Sequence, residues 1–282
     1  MIIDCHTHLN RYGPNEPPSL AERYARLRAA MDAAGVRHAV VLTSYTVNAD
    51  RPSADEVLRV VSADPRVHVV AGVDVPNLEA GLPGLRALLR AERIRGLKLY
   101  PGYQDFHVHD ARLDPLYEAA AEFSVPVMIH TGDTYDPSTR VKQAHPLEVD
   151  ELAVRHRDVT FVLCHLGNPW FMDAAEVIYK NRNVMGDVSG LTLGDFEPRF
   201  ERFALARVND VLAFVNDPDK LMFGTDWPIS SVGSYLRFVR RLDATEQEME
   251  GLLWRNAARL FGLEMDGAGD GARPGDGADA GG

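Results

Sequence analysis

Apolar residues along the chain fall into two alternating patterns. Short runs of four to seven residues, rich in Val, Ile and Leu and without polar alternation, occur at residues 2–5, 39–43, 67–73, 96–100, 125–129, 160–164, 183–188 and 221–225. Between them lie segments of helical periodicity at 20–34, 54–63, 78–92, 113–123, 147–156, 173–180, 200–215 and 234–242. Runs without alternation suit strands buried on both faces. Strands alternating with amphipathic helices imply parallel βαβ units. Eight such units match a single (β/α)8 TIM barrel, which typically fills about 250 residues. An open doubly wound sheet is the alternative, but no glycine-rich phosphate loop follows the first strand. A last helix, residues 244–261, opens with Thr245 and Glu248 in capping-box spacing and is expected on the outside of the barrel.

Composition changes the picture mainly at the two ends. Residues 265–282, mostly Gly, Ala and Asp, cannot bury enough apolar surface to fold, so a barrel domain at 1–264 and a disordered tail are expected. That tail carries four Asp and one Arg, so three of the eleven net negative charges belong to it. The acidic balance disfavours nucleic acid or an anionic membrane surface and leaves a small-molecule substrate. A homodimer is compatible with it. No apolar run reaches the ~18 residues that span a bilayer, and MIIDCHTHLN lacks the regions of a signal peptide. Two cysteines, Cys5 and Cys164, form neither a disulfide framework nor a CxxC motif, which suggests a reducing, cytoplasmic setting. Each directly precedes a histidine. Strand alternation would therefore turn both thiols outward beneath the helices, as inert core.

In such a barrel, chemistry belongs where strands end. The first run closes with Asp4-Cys5-His6-Thr7-His8, the fifth with His130, the sixth with His165 and the eighth with Asp226-Trp227-Pro228. His6 and His8, two apart on a strand, can reach one ion side by side. Imidazole suits Zn²⁺, with Mn²⁺, Fe²⁺, Co²⁺ or Ni²⁺ as alternatives. His130 and the Asp226 carboxylate would complete a mononuclear site with an open position for water. The ion would lower the pKa of that water from ~15.7 toward ~7, and His165 or Asp226 could take its proton.

These residues carry a family resemblance. Asp4-x-His6-x-His8, Ile129-His130-Thr131-Gly132, Cys164-His165-Leu166-Gly167, Gly224-Thr225-Asp226-Trp227-Pro228 and the closing Asn256-Ala257-Ala258-Arg259-Leu260-Phe261 resemble the amidohydrolase superfamily. The set is most similar to the amidohydrolase-related branch that includes aminocarboxymuconate-semialdehyde decarboxylase. The resemblance implies one divalent ion, usually zinc, on His6, His8, His130 and Asp226. It also implies that His165 activates the metal-bound water or holds substrate, and that Asp226 doubles as proton shuttle. In binuclear members a carboxylated lysine on strand four bridges two metals. Lys98 lies on that strand, and is read here as a substrate-facing or structural ammonium in preference to a bridge.

Other residues complete the candidate set. Lys98, Tyr100 and Trp227 are expected to bind substrate. Tyr103, Tyr135 and Trp170 could extend an aromatic wall, and Lys98 and Arg140 could hold an acidic group. A second His-x-His, His107 and His109, lies in a loop with no strand to fix both rings, so it reads as a poorer metal site that could instead line the pocket mouth. His38, His68, His145 and His156 read as surface or packing residues. Hydrolysis of an amide, cyclic amide, lactone or ester is the first expectation, because the loop at residues 9–19 is short where decarboxylase relatives carry insertions. Non-oxidative decarboxylation of an aromatic or unsaturated acid is the alternative. A non-catalytic metal-binding relative is disfavoured, since no expected ligand is missing.

Overall fold

In the computed structural model, which describes residues 1–264, eight parallel strands pair in chain order. They are β1 (Ile3–Thr7), β2 (His38–Leu42), β3 (Val67–Gly72), β4 (Leu97–Leu99), β5 (Val127–His130), β6 (Phe161–Cys164), β7 (Val184–Asp187) and β8 (Leu221–Met222). Backbone bonds carry the pairing from the eighth strand to the first. Cys5 N–H donates to the Phe223 carbonyl at 2.9 Å, Asp226 N–H to His6 at 2.8 Å and His8 N–H to Trp227 at 2.7 Å. The result is a TIM barrel, with α1 (Leu20–Ala34), α2 (Ala54–Val61), α3 (Leu78–Arg90), α4 (Asp114–Glu122), α5 (Leu147–Arg155), α6 (Phe171–Lys180), α7 (Pro198–Val215) and α8 (Val232–Val239) between and after the strands. The tail expected from residue 265 lies outside the described residues. Among the described residues no helix is long and apolar enough to cross a membrane.

Strand alternation sorts the apolar residues into two cores. Ala39, Val41, Val69, Leu97, Val127 and Phe161 face outward and pack with helix residues such as Leu27, Val57, Leu116 and Leu152. Val40, Leu42, Val70, Met128, Val162 and Met222 fill the barrel lumen. Both sets are almost wholly buried, which explains why the strand runs lack polar alternation.

The structure departs from the sequence expectation at two places. Cys5 and Cys164 sit in the lumen core and do not face the helices. Regular alternation fails directly after each of them. The β1–β2 register slips between Asp4 and Thr7, as at a bulge, and His165 takes a left-handed φ of 65°. A lumen-facing thiol can thus be followed by a histidine that also reaches the barrel's interior mouth. The C-terminal segment also differs. It runs as α9 (Glu246–Glu250), a π-helical turn (Gly251–Arg255) and α10 (Asn256–Phe261), and Thr245 and Glu248 form the expected capping box. Yet α10 does not lie on the outside. Ala257, Ala258 and Phe261 pack into the lumen core, and Asn256 Nδ2 donates to the Leu221 carbonyl at 2.8 Å. An open barrel end exposes apolar lumen residues, and α10 covers them.

Candidate metal and active site

A cavity of about 530 Å³ gathers the ends of the strands. His6, His8, Lys98, Tyr100, His130, His165 and Asp226 line it, together with Tyr12, Tyr45, Arg51, Tyr103 and Tyr135.

Hydrogen bonding assigns the protons of its histidines. His8 Nδ1 lies 2.7 Å from the Leu42 carbonyl, which can only accept, so Nδ1 carries a hydrogen and a neutral ring keeps its lone pair on Nε2. His6 Nδ1 lies 2.9 Å from Asp187 Oδ2. Burial alone would raise the Asp187 carboxyl, but the His6 ring and its hydrogen bond, with help from His165 and Ser189, hold it well below the usual carboxylate range. Asp187 is therefore an acceptor, and His6 Nε2 is bare as well. Burial pushes His6 itself down to about 4, against the pull of Asp187.

Both bare nitrogens face one carboxylate oxygen. Asp226 Oδ1 is 3.0 Å from His8 Nε2 and 3.8 Å from His6 Nε2. With both rings neutral, this buried oxygen has no hydrogen-bond partner. Three electron-pair donors converging on one point repel each other unless a cation lies among them. Two imidazoles and a carboxylate match the donors that bind zinc and related divalent ions. The residues present therefore fit a metal.

A surrounding layer fixes these ligands. Ser189 donates a short hydrogen bond to Asp187 Oδ1 and accepts from His165 Nδ1 at 2.9 Å. That leaves His165 Nε2 as the basic atom of the ring, while burial holds its pKa down. Gly190 makes room for the ring. Its φ is 61°, and a Cβ there would lie 2.3 Å from His165 Nδ1. Asp4 accepts from the Thr225 hydroxyl at 2.6 Å, the Thr225 amide at 3.0 Å and the His6 amide at 3.2 Å. It ties β1 to the segment bearing Asp226, and burial lifts its pKa to about 7 despite those bonds. His165 and Asp226 are both left-handed, with φ of 65° and 66°. Such backbone costs about 1–3 kcal/mol per residue and persists where the surroundings enforce it.

The remaining expected site residues divide. His130 lies in the cavity, its ring centroid 5.1 Å from that of His165, but its Nε2 meets the Asp133 carbonyl at 3.0 Å and stands apart from the converging trio. Lys98 is fully buried, with Nζ 2.8 Å from Cys164 Sγ and 5.2 Å from the Tyr100 ring centre. Burial keeps that thiol protonated, and no carboxylate pairs with Lys98 among the described residues. Tyr100 lines the cavity while its hydroxyl donates to the Thr43 carbonyl at 2.7 Å. Trp227 was expected in the substrate wall, but it packs against the helix-facing core and lines none of this cavity. The left-handed turn at Asp226 separates the two side chains. Arg140 pairs with Asp105 at 2.6 Å, away from the cavity.

Asp187, Ser189 and Arg51 carry no assigned role from the sequence alone. The first two stand two apart at the end of β7, the same spacing that singled out His6 and His8. Arg51 lies in the loop before α2, where no periodicity marks it.

Comparisons with known proteins bear on the fold and the family. No curated protein sequence is similar enough to count as a match. An uncharacterized TIM-barrel protein from Bordetella bronchiseptica is 23% identical with a TM-score of 0.75, covering 93% of this chain and 98% of that one. A candidate 2-pyrone-4,6-dicarboxylic acid hydrolase from Pseudomonas putida is 22% identical with a TM-score of 0.69, covering 94% and 98%. A dihydroxybenzoic acid decarboxylase from Polaromonas, solved with manganese, is 15% identical with a TM-score of 0.67, covering 93% and 97%. At these identities the likeness is one of fold. The amidohydrolase family model matches residues 3–263, nearly the whole chain, and the chain therefore belongs to the amidohydrolase family.

Proposed function

We propose that this protein is a metal-dependent hydrolase that directs a metal-activated water at an ester, lactone, amide or cyclic amide bond of a small carboxylated substrate. The observation that carries the reading is the unpartnered Asp226 Oδ1 facing the bare Nε2 atoms of His6 and His8. These three side chains would hold the ion, zinc as first choice, with His130 as a fourth ligand if its ring leaves Asp133. A divalent ion held there supplies Lewis acidity and a water acidic enough to react near neutral pH.

The chain's own groups do the rest. Asp226 and His165 Nε2 are the bases positioned to accept the proton released from water. Asp187 and Ser189 keep the His6 and His165 rings in one tautomer. Lys98, a buried cation without a carboxylate partner, suits an acidic group on the substrate, and Arg51 lines the same cavity. Substrate filling the cavity between Tyr12, Tyr100 and Tyr103 would displace water and strengthen these contacts.

Decarboxylation of an aromatic acid is the second reading. Five tyrosines around the cavity favour a flat ring, and the Polaromonas neighbour is a decarboxylase of dihydroxybenzoic acid. An assay of the zinc- and manganese-loaded protein against carboxylated lactones, cyclic amides and hydroxybenzoates separates the two. Acid release without CO₂ is expected. CO₂ release without hydrolysis would replace the first reading by the second, and activity that survives complete chelation would reject both.

A further inference from the structure

A second cluster of metal-ligating side chains lies on the outer rim, away from the cavity. His107 and His109 lie in the loop between β4 and α4, and Glu148 in the first turn of α5. His107 Nδ1 is 2.6 Å from Glu148 Oε2, and His109 Nδ1 is 3.4 Å from the same oxygen. None of the three lines the 530 Å³ cavity. Although the segment is a loop, its backbone is fixed. Val108 between the two histidines is fully buried, and its carbonyl accepts from the Tyr117 hydroxyl at 2.6 Å. Arg155 donates to the His109 carbonyl at 2.9 Å. With Val108 turned inward, its two neighbours emerge on one side, and their ring centroids are 5.4 Å apart.

A simple ion pair accounts for only part of this arrangement. Donation from His107 Nδ1 explains the short contact to Glu148, but His109 Nδ1 remains buried and without a hydrogen-bond partner. A cation among the three atoms would use both nitrogen lone pairs and the carboxylate charge together. We propose that His107, His109 and Glu148 form a second divalent-metal site, of the zinc class, on the outer wall of the barrel. Two histidines and a glutamate are an established zinc donor set, with water completing the coordination. The ion would staple the loop after β4 to α5. The chain between these two anchors includes Thr131, Asp133, Tyr135 and Asp136, which line one side of the cavity.

Metal counting on the full-length protein tests this. Parent and variants are equilibrated with zinc chloride, freed of loose metal by a weak competing chelator, and measured by elemental analysis. Two ions per chain are expected for the parent. One is expected for His107→Ala/His109→Ala, for Glu148→Gln and for His6→Ala/His8→Ala. Zinc should raise the Tm of His6→Ala/His8→Ala, and should leave a variant lacking both histidine pairs unchanged. The rings of His107 and His109 are partly exposed, so the chelated variant should melt close to the chelated parent. A parent count of two that His107→Ala/His109→Ala leaves intact would overturn the site and move the second ion elsewhere, for example to Lys98. A parent count of one, lost in His6→Ala/His8→Ala, would overturn it as well. A single ion lost only with His107 and His109 would support it while rejecting the catalytic site.

Discussion

The chain contains two His-x-His motifs, and the molecule treats them differently. His6 and His8 sit on a bulged strand in the barrel mouth, both buried, each with Nδ1 committed to an acceptor. His107 and His109 sit on a rim loop, half-buried, and share one glutamate. Each cluster contains a buried polar atom without a hydrogen-bond partner, Asp226 Oδ1 in one and His109 Nδ1 in the other. What separates them is the layer behind. Asp187, Ser189, Asp4 and the Leu42 carbonyl orient every group around the first pair. Behind the second pair, only the backbone is braced. Donor type and spacing make a metal site conceivable, whereas the supporting hydrogen bonds and the adjoining cavity make it suited to catalysis.

That contrast can be broken from the catalytic side first. His6→Ala/His8→Ala should cut kcat/KM by about a thousandfold or more, beyond the cost of a single stabilising donor, and steady-state kinetics at saturating metal would check it. Gly190→Ala should push the His165 ring aside and lower kcat by about a hundredfold, the scale of a lost general base. Its metal content should not change, and a loss of metal would mean that Gly190 supports the ligands themselves. Asp187→Asn should weaken metal affinity by about ten- to a hundredfold, with activity recovering as metal is added. On the rim side, His107→Ala/His109→Ala should leave kcat/KM within about twofold of the parent, and a larger loss would join the two regions functionally.

The last effect is one of stability and concerns a part-buried histidine pair outside both clusters. His38 Nδ1 and His68 Nε2 lie 3.1 Å apart, and burial, with the neighbouring His38, lowers His68 to about 4. Its folded pKa is thus below its unfolded value of ~6.5, so the unfolded chain binds the extra proton. Stability from this residue is present above pH 6.5 and is lost as pH falls from about 6.5 to about 4. Urea unfolding of the metal-free protein should show that slope. His68→Gln should reduce the stability lost over that range by about 3 kcal/mol, and zinc should not alter the difference.

The barrel was legible in the sequence because its strands are buried on both faces and leave unalternating runs. The strand-end residues were legible for a related reason, since polar groups interrupt those runs where the strands stop. What escaped was whatever depends on local departures from ideal geometry. Cys5 and Cys164 follow Ile3 and Val162 into the lumen by regular alternation, and the β1 slip and the left-handed His165 turn the next histidines to the barrel mouth as well. The turn at Asp226 parts Trp227 from the site its neighbour occupies. Covering the barrel floor drew α10 inward, a tertiary demand that helical periodicity does not encode. Asp187 was visible as a residue but not as a partner, because its role depends on His6, 181 positions away in the chain.

The proposed function requires one cation among three named atoms. Diffraction from crystals of the zinc-loaded protein, recorded on both sides of the zinc absorption edge, tests it most directly. The predicted result is an anomalous peak bonded to His6 Nε2, His8 Nε2 and Asp226 Oδ1, at about 2.0–2.2 Å from each. A zinc-loaded crystal with its anomalous peak elsewhere, and Asp226 hydrogen-bonded to a protonated His8, would contradict it.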